Sequence, residues 1–544
     1  MIASKKNIIL VIFVVAINVV CTQVSIRWDF TKDQKYSLST PTQHLLTNLS
    51  QDVFIQVFLT DDLPFDFERL RRETLYFLTE LQAQNKHIHF AFVSPKGKEQ
   101  ELISKGLSPS RLTVQEDGTV SERIIFPWAL IKSGQKTKKI NLLKNSFFED
   151  ESRQIENSVQ NLEFAFANGI QQITAVKKQK IAVLKGNGQL NDLYQYDWLK
   201  SLGENYFLAP FTLDSVAKNP KQTLAQLKDF DLTIISKPTE AFSEQEKYVL
   251  DQYTVHGGAT LWLLDLVHTP KDSLMQHGKL LAYQRNLNLT DYLFNYGVRI
   301  QKHLIRDLYA AKIPLATGKI GNNTQYDEFL WDYYPVIKSN QQHVINQNIG
   351  EVRLEFANSL DTLNPRIRKT VLLQSSALSK TQAVPTYVSL ASITETGDVA
   401  SYQQGSKIIG VLLEGDFTSA YQNRVKPFAT KHLDKGSNNK MVVIADGDLS
   451  SNQISKGKPL ELGLDKWTQS YFANKEFLTN TVNYLLNDSG LIQLRAKKIT
   501  LDFINKPKAY QEKIYWQWLN LGLPLLLLSL VGLLNFLRRK KNYS

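Results

Sequence analysis

Hydrophobic positions along the chain follow three patterns: long uninterrupted runs near both ends, helical periods, and short runs of strand length. Ile8 to Val20 is apolar apart from Asn18, and Cys21 to Ile26 is mixed. Leu519–Leu537 reads LNLGLPLLLLSLVGLLNFL and carries no charge. A helix needs about 20 apolar residues to cross a bilayer. Residues 1–26 are therefore expected to form an N-terminal anchor and 516–538 a C-terminal transmembrane helix. The first segment lacks a small-x-small cleavage site, which favours an uncleaved helix over a signal peptide.

Between the two ends the pattern is that of a folded α/β body. In the region 27–176, Thr40-Pro41 marks a helix start, and Val53–Leu59 reads as a strand. Phe67 to Asn85 repeats apolar residues at a helical period, and His87–Val93 is strand-like again. Leu112–Val114 and Ile124–Leu130 are further strand candidates, followed by a helix around Ile155–Val176. His87 and His89 fall on one face of their strand. Such a pair can bind a metal, but no third ligand stands nearby in sequence, so a solvated face is the plainer reading.

The region 177–490 carries five short continuous apolar runs: Ile181–Leu184, Leu232–Ile235, Thr260–Leu264, Lys407–Leu413 and Met441–Ala445. Runs without alternation suit strands covered on both faces of a mostly parallel sheet. Ser243 and Glu246 form a capping box opening a helix that Gly257-Gly258 closes before the next strand. Strand, helix, strand is the βαβ unit. A helix at Asn474–Leu486 ends the region, about 284–400 reads as a less regular insertion, and 491–515 as a linker. The expected fold class is α/β, a two-part ectodomain whose second part is a flavodoxin-like, mostly parallel sheet, with one transmembrane helix at each end.

Charge sharpens the membrane reading. The 544 residues hold 64 Lys and Arg against 52 acids, a net charge of +12. Six positive charges sit at the ends: Lys5, Lys6, Arg538, Arg539, Lys540 and Lys541. Tyr515, Trp516 and Trp518 stand at the other border of the last apolar run. Aromatic residues at one interface and basic ones at the cytoplasmic interface fit the positive-inside rule. Both termini are thus expected in the cytoplasm, and the body on the periplasmic side of the inner membrane. A mean hydropathy of −0.26 excludes a chain that is mostly membrane. No basic helix or basic-aromatic interleaving points to nucleic acid.

Candidate chemistry is sparse. The one cysteine, Cys21, lies in the first apolar segment, so an intramolecular disulfide, a Cys-based zinc site and a thiol nucleophile in the body are excluded. Val19 and Val20 do not suit a lipidation site at Cys21. No P-loop, G-x-S-x-G elbow or H-E-x-x-H occurs. Three loops follow strands, where α/β folds place ligands. Gly186, Asn187, Gly188 and Gln189 offer two glycines for phosphate, with a tight turn as the plainer reading. Asp446 and Asp448 offer two carboxylates for a divalent cation, with solvated turn acids as the plainer reading. Glu414 and Asp416 end a third strand, and there too a solvated turn is the plainer reading. If the three strands are neighbours, the loops would line one crevice. No cofactor is expected.

Several segments together carry a family resemblance: RWDFTKDQKYSLS (27–39), DQYTVHGGATLWLLD (251–265), FNYGVRI (294–300), VLLEGDF (411–417), VIADGD (443–448) and NKEFLTNTVNYLLND (474–488). In order and spacing the chain resembles the gliding-motility-associated ABC transporter component of GldG type, from Bacteroidetes-type bacteria. The resemblance runs along nearly the whole chain. It departs at Gly186–Leu190, where that family commonly has G-H-G-E-L and this chain has no imidazole or carboxylate. The resemblance implies a cytoplasmic ATPase and a multi-span permease on separate chains, and a second region similar to amidotransferase-like (GIFT-type) domains without their catalytic apparatus. The expected function is a non-enzymatic, membrane-anchored subunit binding an unknown substrate or a partner. An envelope scaffold that transports nothing, and a degenerate hydrolase using Asp446 and Glu414, are the alternatives.

Overall fold

A computed structural model describes residues 37–486, except 61–62, 117–118, 145–150, 175–176, 322, 339–341, 364–365 and 394–397, together with residues 494 and 506–542. The expected N-terminal span lies outside the described residues. The chain divides into two compact units, at Lys498 and Ile499.

In the first unit, residues 37–174 build a four-stranded mixed sheet. Its order is Ile88–Phe92, Val53–Val57, Trp128–Ser133, Lys136–Asn141; the first two are parallel, the others antiparallel. Helices Phe65–Gln84 and Glu151–Thr174 pack against each other, with Phe77 and Phe166 ring centroids 5.7 Å apart. The helix Thr40–Thr47 starts on a buried carboxylate: Glu163 Oε1 accepts from Ser39 N at 2.8 Å and from Thr42 Oγ1 at 2.8 Å. An acid beside the unpaired N–H groups of a helix start is favourable. The run expected as one strand over Ile124–Leu130 is two. Thr119–Ile125 pairs back on Ser110–Glu116, and Trp128 opens the next strand after Pro127. Proline lacks the ladder N–H that would carry one strand through.

The second sheet has seven strands. Four neighbouring pairs are parallel and join Lys180–Lys185, Phe207–Thr212, Leu232–Ser236, Ala259–Leu263 and Asn439–Ile444. Numbered along the chain, these five lie in the spatial order 2-1-3-4-5. One face buries Leu184, Ile235, Trp262 and Val443 with Tyr248 and Tyr253 of the helix Glu244–Val255. The other buries Ile181, Ile234, Leu261 and Ile444 with Phe477 and Val482 of the helix Asn474–Leu485. Cover on both faces is why these strands read as unbroken apolar runs. The capping box forms: Ser243 Oγ accepts from Glu246 N at 3.3 Å, and Glu246 Oε2 from Ser243 N at 2.6 Å. The sequence did not reveal the edge strand Phe207–Thr212, whose burial alternates and which holds Pro210, or the helix Asp192–Asn205 before it.

Two strands complete the sheet, one of them reversed. Ile408–Gly415 runs antiparallel to Asn439–Ile444, and Arg368–Gln374 antiparallel to Ile408–Gly415. The run at 407–413 was expected in a mostly parallel sheet. It reverses because the loop after Gly415 returns directly at the same end of the sheet, without a crossover helix. The stretch expected to be irregular, about 284–400, is largely β. It includes a long hairpin, Ala310–Ile320 with Asn323–Ile337, and it supplies Arg368–Gln374 to the main sheet.

In the second unit, the helix Lys513–Asn542 contains Pro524, and Lys513–Arg538 is long and apolar enough to cross a membrane. Its large apolar side chains from Leu519 to Leu537 are exposed.

Candidate functional site

Parallel strands end together, so the residues just after them share one edge of the sheet. Here that edge carries Gly186–Gln189, Lys237, Asp265 and Asp446–Asp448. Asp446 is fully buried, Asp265 is 5% exposed and Asp448 8%. The expected solvated turn at Asp446 and Asp448 is therefore corrected: the sheet and the chain inserted after it close over these acids. Lys237 takes a left-handed φ of 49° at its strand end and sends Nζ to Asp448 Oδ1 at 2.5 Å and Asp265 Oδ2 at 3.5 Å. Gly447 is held at close quarters. A Cβ there would lie 2.8 Å from Asp265 Oδ2 and 2.8 Å from Lys237 Cγ.

The chain between the strands Ala259–Leu263 and Arg368–Gln374, with Asp465 from beyond the last strand, supplies the rest. Lys271 Nζ reaches Asp448 Oδ1 at 2.9 Å and pairs with Glu355. Arg353 pairs with Glu355 and, through Nη1, with Asp465 Oδ2 at 2.6 Å. Backbone N–H groups close the network: Gly447 N donates to Asp265 Oδ1 at 2.5 Å, Asp448 N to Asp446 Oδ1 at 2.8 Å, and Glu355 N to Asp446 Oδ2 at 2.8 Å.

Electrostatics split these acids into two kinds. Burial, reinforced by the charges of Asp265 and Asp448, pushes the Asp446 carboxyl well above the usual carboxylate range. Burial raises Asp265 too, against the pull of Lys237. Burial also acts on Asp448, but Lys237 and Lys271 outweigh it and hold that carboxyl well below its usual range. Glu355 is lowered against burial by Lys271 and Arg353, and Asp465 by Arg353. Lysine ammonium groups hold the place a cation would take beside Asp448. Among the described residues no group of three or more His, Cys, Asp or Glu is arranged to hold a metal.

The glycine loop is a tight turn tied to the neighbouring loop at Thr239–Glu240. Gly186 has φ 108° and Gly188 φ 66°, both open to glycine at no steric cost. The backbone carbonyl of Asn187 accepts from Thr239 N at 3.0 Å and Glu240 N at 3.1 Å, and Gln189 Oε1 accepts from Asn187 N at 2.7 Å. Asn187 Nδ2 reaches Glu246 Oε1 at 3.3 Å.

Glu414 and Asp416 are not part of this edge. Their strand runs antiparallel, with Glu414 opposite Lys440 at the start of the neighbouring strand, so its end lies at the other end of the sheet. The conditional single crevice formed by all three loops is therefore corrected. Glu414 pairs with Arg368 and accepts from Tyr484 OH at 2.7 Å, and Asp416 Oδ1 from Asn438 N at 3.4 Å. At that same end an open cavity of about 440 Å3 is lined by Lys228, Asp231, Tyr253 and His256 among others. Lys228 and His256 close the helices Pro220–Leu227 and Glu244–Val255, positions where cations meet the carbonyl end of a helix.

His87 and His89 gather on Asp52. His87 Nδ1 lies 2.7 Å and His89 Nε2 3.8 Å from its Oδ1, and Phe54 stacks on His89 at 5.0 Å.

Sequence reading missed Lys237, Asp265, Lys271, Arg353, Glu355 and Asp465. The first two carried a signal, being polar residues directly following apolar strand runs. Of the other four, Arg353 and Glu355 come from the insertion, Lys271 from the helix Lys271–His277 before it, and Asp465 from the chain after the last strand, and no local pattern encodes the path of these segments over the sheet.

A family model described as an ABC-type uncharacterized transport system matches residues 178–481, more than half of the chain. The chain belongs to this family of ABC-transport auxiliary proteins. A domain of unknown function, DUF7088, matches residues 32–132. No curated protein matches the chain. Among solved structures, the mmIFT52 N-terminal domain is similar at 14% identity over 56% of this chain and 97% of that chain, with a TM-score of 0.33. A likeness of that size carries no argument. The family model spans all five parallel strands and the whole buried ionic network, so the site described above lies within the auxiliary-protein region.

Proposed function

We propose that this auxiliary protein is a non-enzymatic, membrane-anchored subunit whose body lies on the periplasmic side and binds a substrate or a partner. Separate ATPase and multi-span permease chains would power transport. The family match over residues 178–481 carries this reading. The exposed apolar helix with Tyr515, Trp516 and Trp518 before it and Arg538-Arg539-Lys540-Lys541 after it supports membrane anchoring with a cytoplasmic C-terminus. The strand order 2-1-3-4-5 supports the flavodoxin-like, GIFT-type assignment of the second region. The GldG-type, gliding-motility assignment rests on the segments quoted from 27–39 to 474–488.

The deciding experiment is affinity purification of the full chain from detergent-solubilised membranes. Co-purification of an ATPase and a permease is expected, and their absence from a stably folded preparation would overturn the reading. A reporter fused at residue 300 should behave as extracytoplasmic, and cytoplasmic activity there would overturn the topology.

One observation favours the scaffold as a second reading. In open α/β sheets ligands enter at the strand C-terminal ends, and here Lys271, Arg353 and Glu355 of the chain itself are seated over that edge. A body that fills its own crevice is suited to contacting proteins. Capture of envelope proteins without the ATPase and permease would support it. The hydrolase reading would need activity lost on Asp446→Ala with the fold intact.

A further inference from the structure

The network around Asp446 holds more acid than base. Asp265, Glu355, Asp446, Asp448 and Asp465 are joined there to only three cations, Lys237, Lys271 and Arg353. Asp446 makes no ion pair among the described residues, and its two oxygens accept from backbone N–H groups. Asp448 Oδ2, by contrast, is buried without any hydrogen-bond donor among the described residues. Uncompensated charge is costly to bury, and a carboxyl so placed neutralises by taking up a proton. A proton on Asp446, the acid that is paired with no cation among the described residues, reduces this excess negative charge.

The network also joins two parts of the fold. Lys237, Asp265, Asp446 and Asp448 stand at strand ends of the sheet, whereas Lys271, Arg353 and Glu355 stand on the segment inserted between the strands Ala259–Leu263 and Arg368–Gln374. We propose that this cluster is a proton-linked clamp: with a proton on Asp446 the inserted segment is locked onto the strand ends, and loss of that proton loosens it. The clamp is a property of the chain itself and stands whether or not the transporter partners are those proposed above.

Facing Asp446 are Asp265 from the adjoining strand end, Asp448 from its own turn and Glu355 from the insertion, with Lys237 and Lys271 beyond them on Asp448. Behind these stand Arg353 with Asp465, and Tyr334, whose phenol burial holds above its usual range. Arg285, on His268 Nδ1 at 2.7 Å, acts on Asp265 through its field. The raised Asp446 carboxyl favours the closed form below its unfolded value, about 3.9, and that contribution is lost as pH rises through its folded value. The lowered Asp448, Glu355 and Asp465 act oppositely, losing their contribution as pH falls through their folded values. The clamp is therefore tightest near the unfolded carboxylate value, about 3.9, and loosens as pH rises toward the folded value of Asp446.

The test uses the purified full chain in detergent, as wild type and Asp446→Asn. Asparagine keeps the shape and stays neutral at every pH. Infrared spectra at pH 7 should contain the C=O stretch of a protonated carboxylic acid in the wild type, lost in Asp446→Asn. Hydrogen exchange of the 350–360 and 444–450 backbone, corrected for the intrinsic pH effect, should lose about tenfold protection in the wild type across the pH range over which the carboxylic-acid band disappears. In Asp446→Asn it should stay flat. Should the variant fail to fold, the wild-type infrared titration decides alone: the carboxylic-acid band must persist well above the usual carboxylate range, disappear as pH rises, and be indifferent to calcium and to chelator. A missing band, a band unchanged in the variant, or pH-independent protection in the wild type would overturn the clamp. Removal of the band by calcium with a rise in melting temperature would overturn it too, by assigning the neutralising charge to a metal.

Discussion

Lys237 and Asp448 meet at 2.5 Å with side chains 18% and 6% exposed, so this is a nearly desolvated ion pair. Removing one partner of such a pair costs about 3–5 kcal/mol, because the other charge is left buried. Lys271 remains beside Asp448, so Lys237→Met should cost about 3 kcal/mol, the lower end of that range. The depressed Asp448 carboxyl fixes the pH dependence. Its ion-pair contribution is present above the unfolded value, about 3.9, and is lost as pH falls through the folded value. The melting-temperature gap between wild type and Lys237→Met should therefore shrink in melts taken in strong acid, and a gap constant with pH would contradict this assignment. Gly188 is constrained by backbone as well as space. At φ 66° an added Cβ would stand 2.0 Å from Thr239 Oγ1. Gly188→Ala should destabilise the chain by about 1–2 kcal/mol, read as a lower melting temperature. At Gly97 (φ 76°) a Cβ meets nothing within 4 Å, so the same change there isolates the backbone contribution.

Elements were legible in proportion to how local their causes are. The helix Glu244–Val255 starts where Ser243 and Glu246 place it, because both capping bonds join residues three apart. Ser243→Ala should lower stability by about 1 kcal/mol, with a smaller fall for Ser243→Gly, since glycine is itself tolerated at a helix start. Equal losses for the two would mean that the cap bond is not what matters. The five apolar runs are all strands because burial on both faces demands apolar side chains throughout. Their direction was not legible. Ile408–Gly415 has the same composition as its parallel neighbours and runs the other way, since direction is set by the connections. Phe207–Thr212 was missed for the converse reason: an edge strand is only half covered, and its mixed residues resemble a loop.

At the scale of the whole molecule, the last helix is the one among the described residues long and apolar enough to cross a membrane. Its 30 residues span about 45 Å at 1.5 Å per residue, enough for the hydrocarbon core and one flank. Gly522 and Gly532 leave room for a neighbouring helix; a Cβ at Gly532 would meet nothing within 4 Å. Replacing Leu519–Leu537 with an unrelated spanning sequence should leave the chain membrane-bound yet unable to co-purify with a permease. Normal co-purification would reduce the helix to an anchor and end its role as a contact.

By itself the sequence determined the α/β class, the strand runs, the capped helix and the apolar C-terminal helix with its aromatic and basic borders. Each follows from residues a few positions apart, whose spacing and solvent preference act locally. It also marked Asp446 and Asp448, two acids directly after an apolar strand. Only the tertiary structure decided what surrounds them. Lys271, Arg353 and Glu355 arrive from up to 177 positions away in sequence, and Glu414 and Asp416 are carried to the opposite end of the sheet. Burial and charge pairing are properties of the assembled fold: a carboxylate solvated in a turn and one sealed under a lysine have the same neighbours in sequence and differ only in what the rest of the chain places over them.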